Sequence, residues 1–185
     1  METLSFFTLE AISPSFWKAK SRLIGILGEM ALSFNGSGDR LGVGIGTSSL
    51  YLTNVAKRYR RKIYHMDIDE AKFLYGIGTK QHISPESEIF VGKTDDLFKN
   101  NKLTSLAFAL IDADHHYEQA KRDFWNAEQY LLEGGFIALH DTFPPSEDAV
   151  ADNMCGACYK LRQDLEKDKR FDCISFPVQL GFTFV

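Results

Sequence analysis

The chain has 185 residues, 44% hydrophobic and 25% charged, with 14 glycines and 5 prolines, which fits one globular domain and excludes a fibre, a collagen-like chain or a disordered one. Its formal net charge of −4 argues against a protein whose main work is to grip nucleic acid by the phosphates. No run approaches the roughly 18–20 uninterrupted apolar residues of a membrane helix, Met1 to Ser5 do not open a secretory signal, and three cysteines do not make a disulfide framework. The expectation is a reduced, cytoplasmic setting without membrane or nucleic-acid partners.

Taken in chain order, Phe16, Leu23, Leu27, Met30 and Leu32 behind Pro14 predict a helix over 14–34. The turn residues 35–39 stop it, giving a helical extension (1–37) ahead of a main domain (38–185). Leu41–Ile45 reads as a buried strand, Ser49–Arg60 as a helix, and Lys62–Met66 as a second strand ending at Asp67. A helix over 70–78, a strand at Glu88–Val91 and a short helix at Asp95–Asn100 follow. Leu106–Ile111 is the most apolar strand. Tyr117, Ala120, Phe124, Ala127 and Leu131 then repeat at helical spacing over 116–132. Gly134-Gly135 is expected to end that helix, with a strand at Phe136–Leu139 and another helix near 154–166. Two last strands, Phe171–Phe176 and Leu180–Val185, are joined so tightly that they must be antiparallel. Alternating strands and helices predict an α/β domain: a Rossmann-like, doubly wound, mostly parallel seven-stranded sheet with a C-terminal antiparallel hairpin.

In such a sheet ligands bind beyond the carboxyl ends of the strands. Those ends carry Gly44 and Gly46 with Thr47 and Ser48, then Asp67, then Gly92-Lys93-Thr94-Asp95, then Asp112 to His116, then His140-Asp141-Thr142. Gly44 and Gly46 let the backbone approach a ligand, but the third glycine of a dinucleotide fingerprint is missing, which disfavours NAD. Asp67 is placed to accept bonds from ribose hydroxyls, or else caps a helix or ends its strand in solvent. Asp112, His140 and Asp141 fall on neighbouring strand tips and suit a divalent cation; the alternative is that Asp112 and Asp114 cap the long helix and His140 satisfies a loop carbonyl. His115 or His116 suits a general base, since an imidazole titrates near working pH. Cys155-x-x-Cys158 lacks the partners of a zinc site and reads as ordinary thiols of a helix. The basic run Lys57–Lys62 ends a helix, where cations complement the dipole, and reads as a solvated face.

Two segments, Ala109 to Glu118 (ALIDADHHYE) and Gly134 to Thr142 (GGFIALHDT), give the chain a family likeness over 38–185. It resembles the class I S-adenosylmethionine-dependent methyltransferases, in particular the small-molecule O-methyltransferase branch near the macrocin O-methyltransferase and cephalosporin-hydroxylase-like groups. The resemblance implies S-adenosylmethionine as cofactor, held by Gly44, Gly46, Thr47, Ser48, Asp67, Thr94, Asp95 and Asp112. It implies Mg²⁺ or another divalent cation on Asp112, His140 and Asp141, His115 as catalytic base, and a small-molecule hydroxyl as acceptor. The chain departs from the family at Gly42, where an acid usually ends the first strand, at Ser48 in place of the third glycine, at Lys93 and at His140. These departures motivate the alternative of a non-catalytic protein that keeps a degenerate methyltransferase fold. Nucleic-acid methylation is disfavoured, because Asp112-Ala113-Asp114-His115 stands where an Asn/Asp-Pro-Pro-Tyr/Phe segment would be. The N-terminal extension is short for a substrate lid, which leaves the acceptor site open or completed by a second subunit of a homo-oligomer.

Overall fold

A computed structural model of the chain describes residues 40–42, 47–68, 85, 87–99, 103, 105–112, 115–147, 150, 156–177 and 180–185. The helices expected at 14–34 and 70–78, the glycines Gly44 and Gly46, and the boundary at residue 37 lie outside the described residues.

Short apolar runs become strands because consecutive side chains point to opposite faces and both faces are covered. The strands are β1 (Arg40–Gly42), β2 (Lys62–Asp67), β3 (Ser87–Val91), β4 (Leu106–Ile111), β5 (Leu131–His140), β6 (Ile174–Phe176) and β7 (Phe182–Phe184). One sheet holds them in the order β3-β2-β1-β4-β5-β7-β6. Pairing is parallel from β3 through to β5, whereas β7 runs antiparallel to both β5 and β6. Four described helices cover it: α1 (Thr47–Tyr59), α2 (Thr94–Lys99), α3 (Tyr117–Glu128) and α4 (Cys158–Lys167).

The core divides across the sheet. On one face Leu52, Val55 and Ala56 of α1 pack on Ile63, Phe108, Ala138, Phe182 and Phe184. On the other, Leu97 of α2, Ala120, Phe124 and Ala127 of α3, and Leu161 and Leu165 of α4 pack on Tyr64, Met66, Ala109, Ile137 and Leu139. Adjacent residues Phe108 and Ala109 thus serve opposite layers, which is the doubly wound arrangement that continuous apolar strands imply. No described helix is long and apolar enough to cross a membrane.

One expectation is corrected. Gly134-Gly135 does not end the helix, because α3 stops at Glu128 with Gln129 as its C-cap, and β5 already begins at Leu131. The glycines sit inside the strand, where the register against β4 shifts between Leu106 and Phe108. Gly134 has φ +75°, and a Cβ on Gly135 would lie 2.9 Å from the Ala107 carbonyl oxygen. The pair therefore builds an irregularity that only glycine accommodates, against the neighbouring backbone.

Candidate active site

The strand order reverses about β1 and β4, so the crevice that binds ligands opens beyond their carboxyl ends. Two groups of expected residues flank it. Asp67 ends β2, half-exposed, and its carbonyl accepts a hydrogen bond from the Gly92 N–H at 2.9 Å, which ties the β2 tip to the segment leaving β3. Thr94 and Asp95 open α2 and are held by α3: the Gln119 side-chain amide donates to Thr94 Oγ1 at 3.0 Å, and that of Asn126 donates to Asp95 Oδ1 at 3.1 Å. Thr47 and Ser48 open α1 in its first turn.

The second group forms because β4 and β5 are neighbours in register, Ile111 opposite Leu139, so Asp112 and His140 emerge side by side. His140 is buried, with its ring packed 4.6 Å from that of Phe182. Its Nδ1 lies 2.9 Å from Asp112 Oδ1 and 2.8 Å from Asp141 Oδ1. Asp141 takes a left-handed backbone (φ +58°), which aspartate tolerates better than most residues, and is 2% exposed. Its other oxygen, Oδ2, lies 3.0 Å from His115 Nε2. Burial pushes the Asp141 carboxyl up, but hydrogen bonds to His115 and His140 and the charge of His140 outweigh it, so the group is held below the usual carboxylate value of 3.8. The His115 side chain keeps 30% of its surface exposed and is the accessible face of the cluster.

The His140 imidazole lies against both carboxylates through Nδ1. Among the described residues, the ligand atoms of Asp112, His115 and Asp141 all lie within 4.8 Å of one another. Two carboxylates and one imidazole form a donor set suited to a divalent cation that keeps open positions.

Three features escaped the sequence. Thr142, fully buried, lies 3.0 Å from the Thr183 hydroxyl, which in turn meets Ser175. Gly181 (φ +91°) packs so closely on Phe143 that a Cβ would come within 2.6 Å of its backbone nitrogen. Gly156 sits against the backbone of His115. In the sequence Gly156 stands only as a glycine between two cysteines.

A profile described as a methyltransferase domain matches residues 40–142, more than half of the chain and the span that carries β1 to β5 and the acid–imidazole cluster. The chain belongs to this family. It is an S-adenosylmethionine-dependent methyltransferase. The methyltransferase shares its fold with solved structures at low identity. A protein from Corynebacterium glutamicum is 14% identical with a TM-score of 0.70 over 94% of this chain and 90% of that one. An O-methyltransferase from Bacillus cereus, in complex with SAH, is 18% identical at TM-score 0.63, covering 96% and 82%. The MycE methyltransferase of mycinamycin biosynthesis, in complex with Mg, SAH and mycinamycin VI, is 13% identical at TM-score 0.58, covering 92% and 54%. No curated protein sequence matches the chain.

Proposed function

We propose that this methyltransferase acts on a hydroxyl oxygen of a small molecule, a sugar or natural-product acceptor, as in the macrocin O-methyltransferase and cephalosporin-hydroxylase-like branch. The observation that carries the reading is the 3.0 Å contact between a buried Asp141 and a half-exposed His115. Asp141 Oδ2 fixes the imidazole by its Nε2, which leaves Nδ1 to take the acceptor's proton, as paired carboxylate–imidazole groups do elsewhere. Asp67 holds the cofactor ribose, with Thr94 and Asp95 at the adenine end and the Gly44–Ser48 segment along its amino-acid end. S-adenosylmethionine, when bound, supplies the methyl group and leaves as S-adenosylhomocysteine. A divalent cation at Asp112 and Asp141, when bound, would lower the pKa of the acceptor hydroxyl.

The test is release of S-adenosylhomocysteine over a panel of sugar and phenolic acceptors. His115→Ala is expected to lower turnover by about 10²–10⁴-fold with the affinity for S-adenosylhomocysteine unchanged; unchanged turnover would remove His115 from the reaction. A second reading, His115 as a metal ligand, is favoured by the grouping of its ligand atom with those of Asp112 and Asp141. It predicts that His115→Ala abolishes Mn²⁺ binding, whereas the base reading predicts that Mn²⁺ binding survives.

A further inference from the structure

We propose that the turn at Gly156-Ala157 and the helix α4 it opens position the His115–Asp141 pair, with Gly156 and Arg162 as the positioning residues; this rests on the reading of that pair given above. The turn holds the first partner. The Ala157 N–H donates to the His115 carbonyl at 2.7 Å, and the Cys158 thiol approaches the same oxygen at 3.9 Å. Gly156 lies flat on this peptide in a left-handed conformation (φ +51°), and a Cβ there would stand 2.0 Å from the His115 carbonyl oxygen and 2.6 Å from its carbonyl carbon. Those are backbone atoms, so relief requires His115 itself to move. In this light the Cys-x-x-Cys segment matters for the residues between its cysteines.

The helix holds the second partner. Arg162 Nε donates to the carbonyl of Thr142, the residue after Asp141, at 3.1 Å. Its guanidinium sits 4.1 Å over the Phe143 ring, and its Nη1 reaches both carboxylate oxygens of Glu166 at 2.9 and 3.0 Å. A planar fork that stacks, pairs and donates at once has little freedom left, which is what a fixed anchor needs. Cys158 and Leu161 between the two holds, and Leu165 just beyond them, are buried against the sheet. One packed helix therefore touches the backbone on both sides of a 3.0 Å contact, and sub-ångström errors at either hold appear in that contact.

The experiment is long-range ¹H–¹⁵N correlation of the histidine rings in the full-length protein at a pH where they are neutral, with His115 assigned from the spectrum of His115→Gln. The wild type is expected to show His115 as a single tautomer protonated at Nε2. Gly156→Ala and, separately, Arg162→Met are expected to lose that pattern and give averaged ring-nitrogen shifts. His65, buried beside Thr53 at 2.9 Å in the other layer, should keep its wild-type signals and so report that the variants are folded. A fixed His115 tautomer in both folded variants would overturn the inference while leaving the pair intact. An averaged His115 in the wild type would instead overturn the pairing with Asp141, and the inference with it.

Discussion

The two rims of the crevice are built differently. At the β4–β5 tip His140, Asp141 and Thr142 are all buried, and each is held by a side chain or carbonyl from another element. At the β2–β3 tip Asp67 is half-exposed, Ile68 is exposed, and Val91 of β3 faces solvent. The difference fits the two tasks the proposed function gives the rims. On the proposed reading, a group that moves a proton must be held to a fraction of an ångström, and the buried Asp141 beside His115 supplies that hold. On the same reading, a rim that takes a cofactor's ribose needs an accessible acceptor more than a rigid one.

The contrast is breakable by mutation, starting at the buried rim. Phe182→Ala removes the fully buried ring beneath His140 and is expected to cost about 3–5 kcal/mol in denaturant unfolding. A loss no larger than that of Val91→Ala, on the exposed β3, would erase the distinction between the rims. Asp141→Asn comes next, at about 1.5–3 kcal/mol for charge-assisted bonds lost to His115 and His140. Its pH dependence has a defined sign. Because the folded carboxyl lies below its ordinary 3.8, its contribution is complete above that value and fades as the pH falls through the lower folded value. The stability gap between wild type and Asp141→Asn should therefore narrow on going from pH 6 towards pH ~2. A gap that stays constant would mean the carboxylate charge contributes nothing.

Smallest in stability is Asp67→Ala, expected within about 0.5 kcal/mol of wild type because the tip is solvated. Its effect belongs to ligand binding instead.

Much of this architecture is legible from the residue pattern. Leu106–Ile111 is apolar throughout because both layers need it, and Ala120, Phe124 and Ala127 face the core at helical spacing. The acid–imidazole cluster is legible as well, since Asp112 and His140 each follow an apolar strand and neighbouring strands end together. What the pattern hides is contact between distant segments. Gly134-Gly135 carries the signature of a helix stop, yet its role is set by the Ala107 carbonyl beside it. The choice between His115 and His140 as the third donor depends on which ring nitrogen faces which oxygen, and no spacing rule encodes that. Gly156 is a spacer in the sequence and becomes a constraint only when His115 is folded against it.

The central claim is that the crevice binds S-adenosylmethionine through its open rim while the buried rim does the chemistry. The most direct measurement is calorimetric titration of wild type and Asp67→Ala with S-adenosylhomocysteine, with and without Mg²⁺. The account predicts micromolar binding to the wild type and binding about 10- to 100-fold weaker in Asp67→Ala, with both proteins melting together. Absence of binding to the wild type under either condition would contradict it, and would point to a methyltransferase fold that has lost its cofactor.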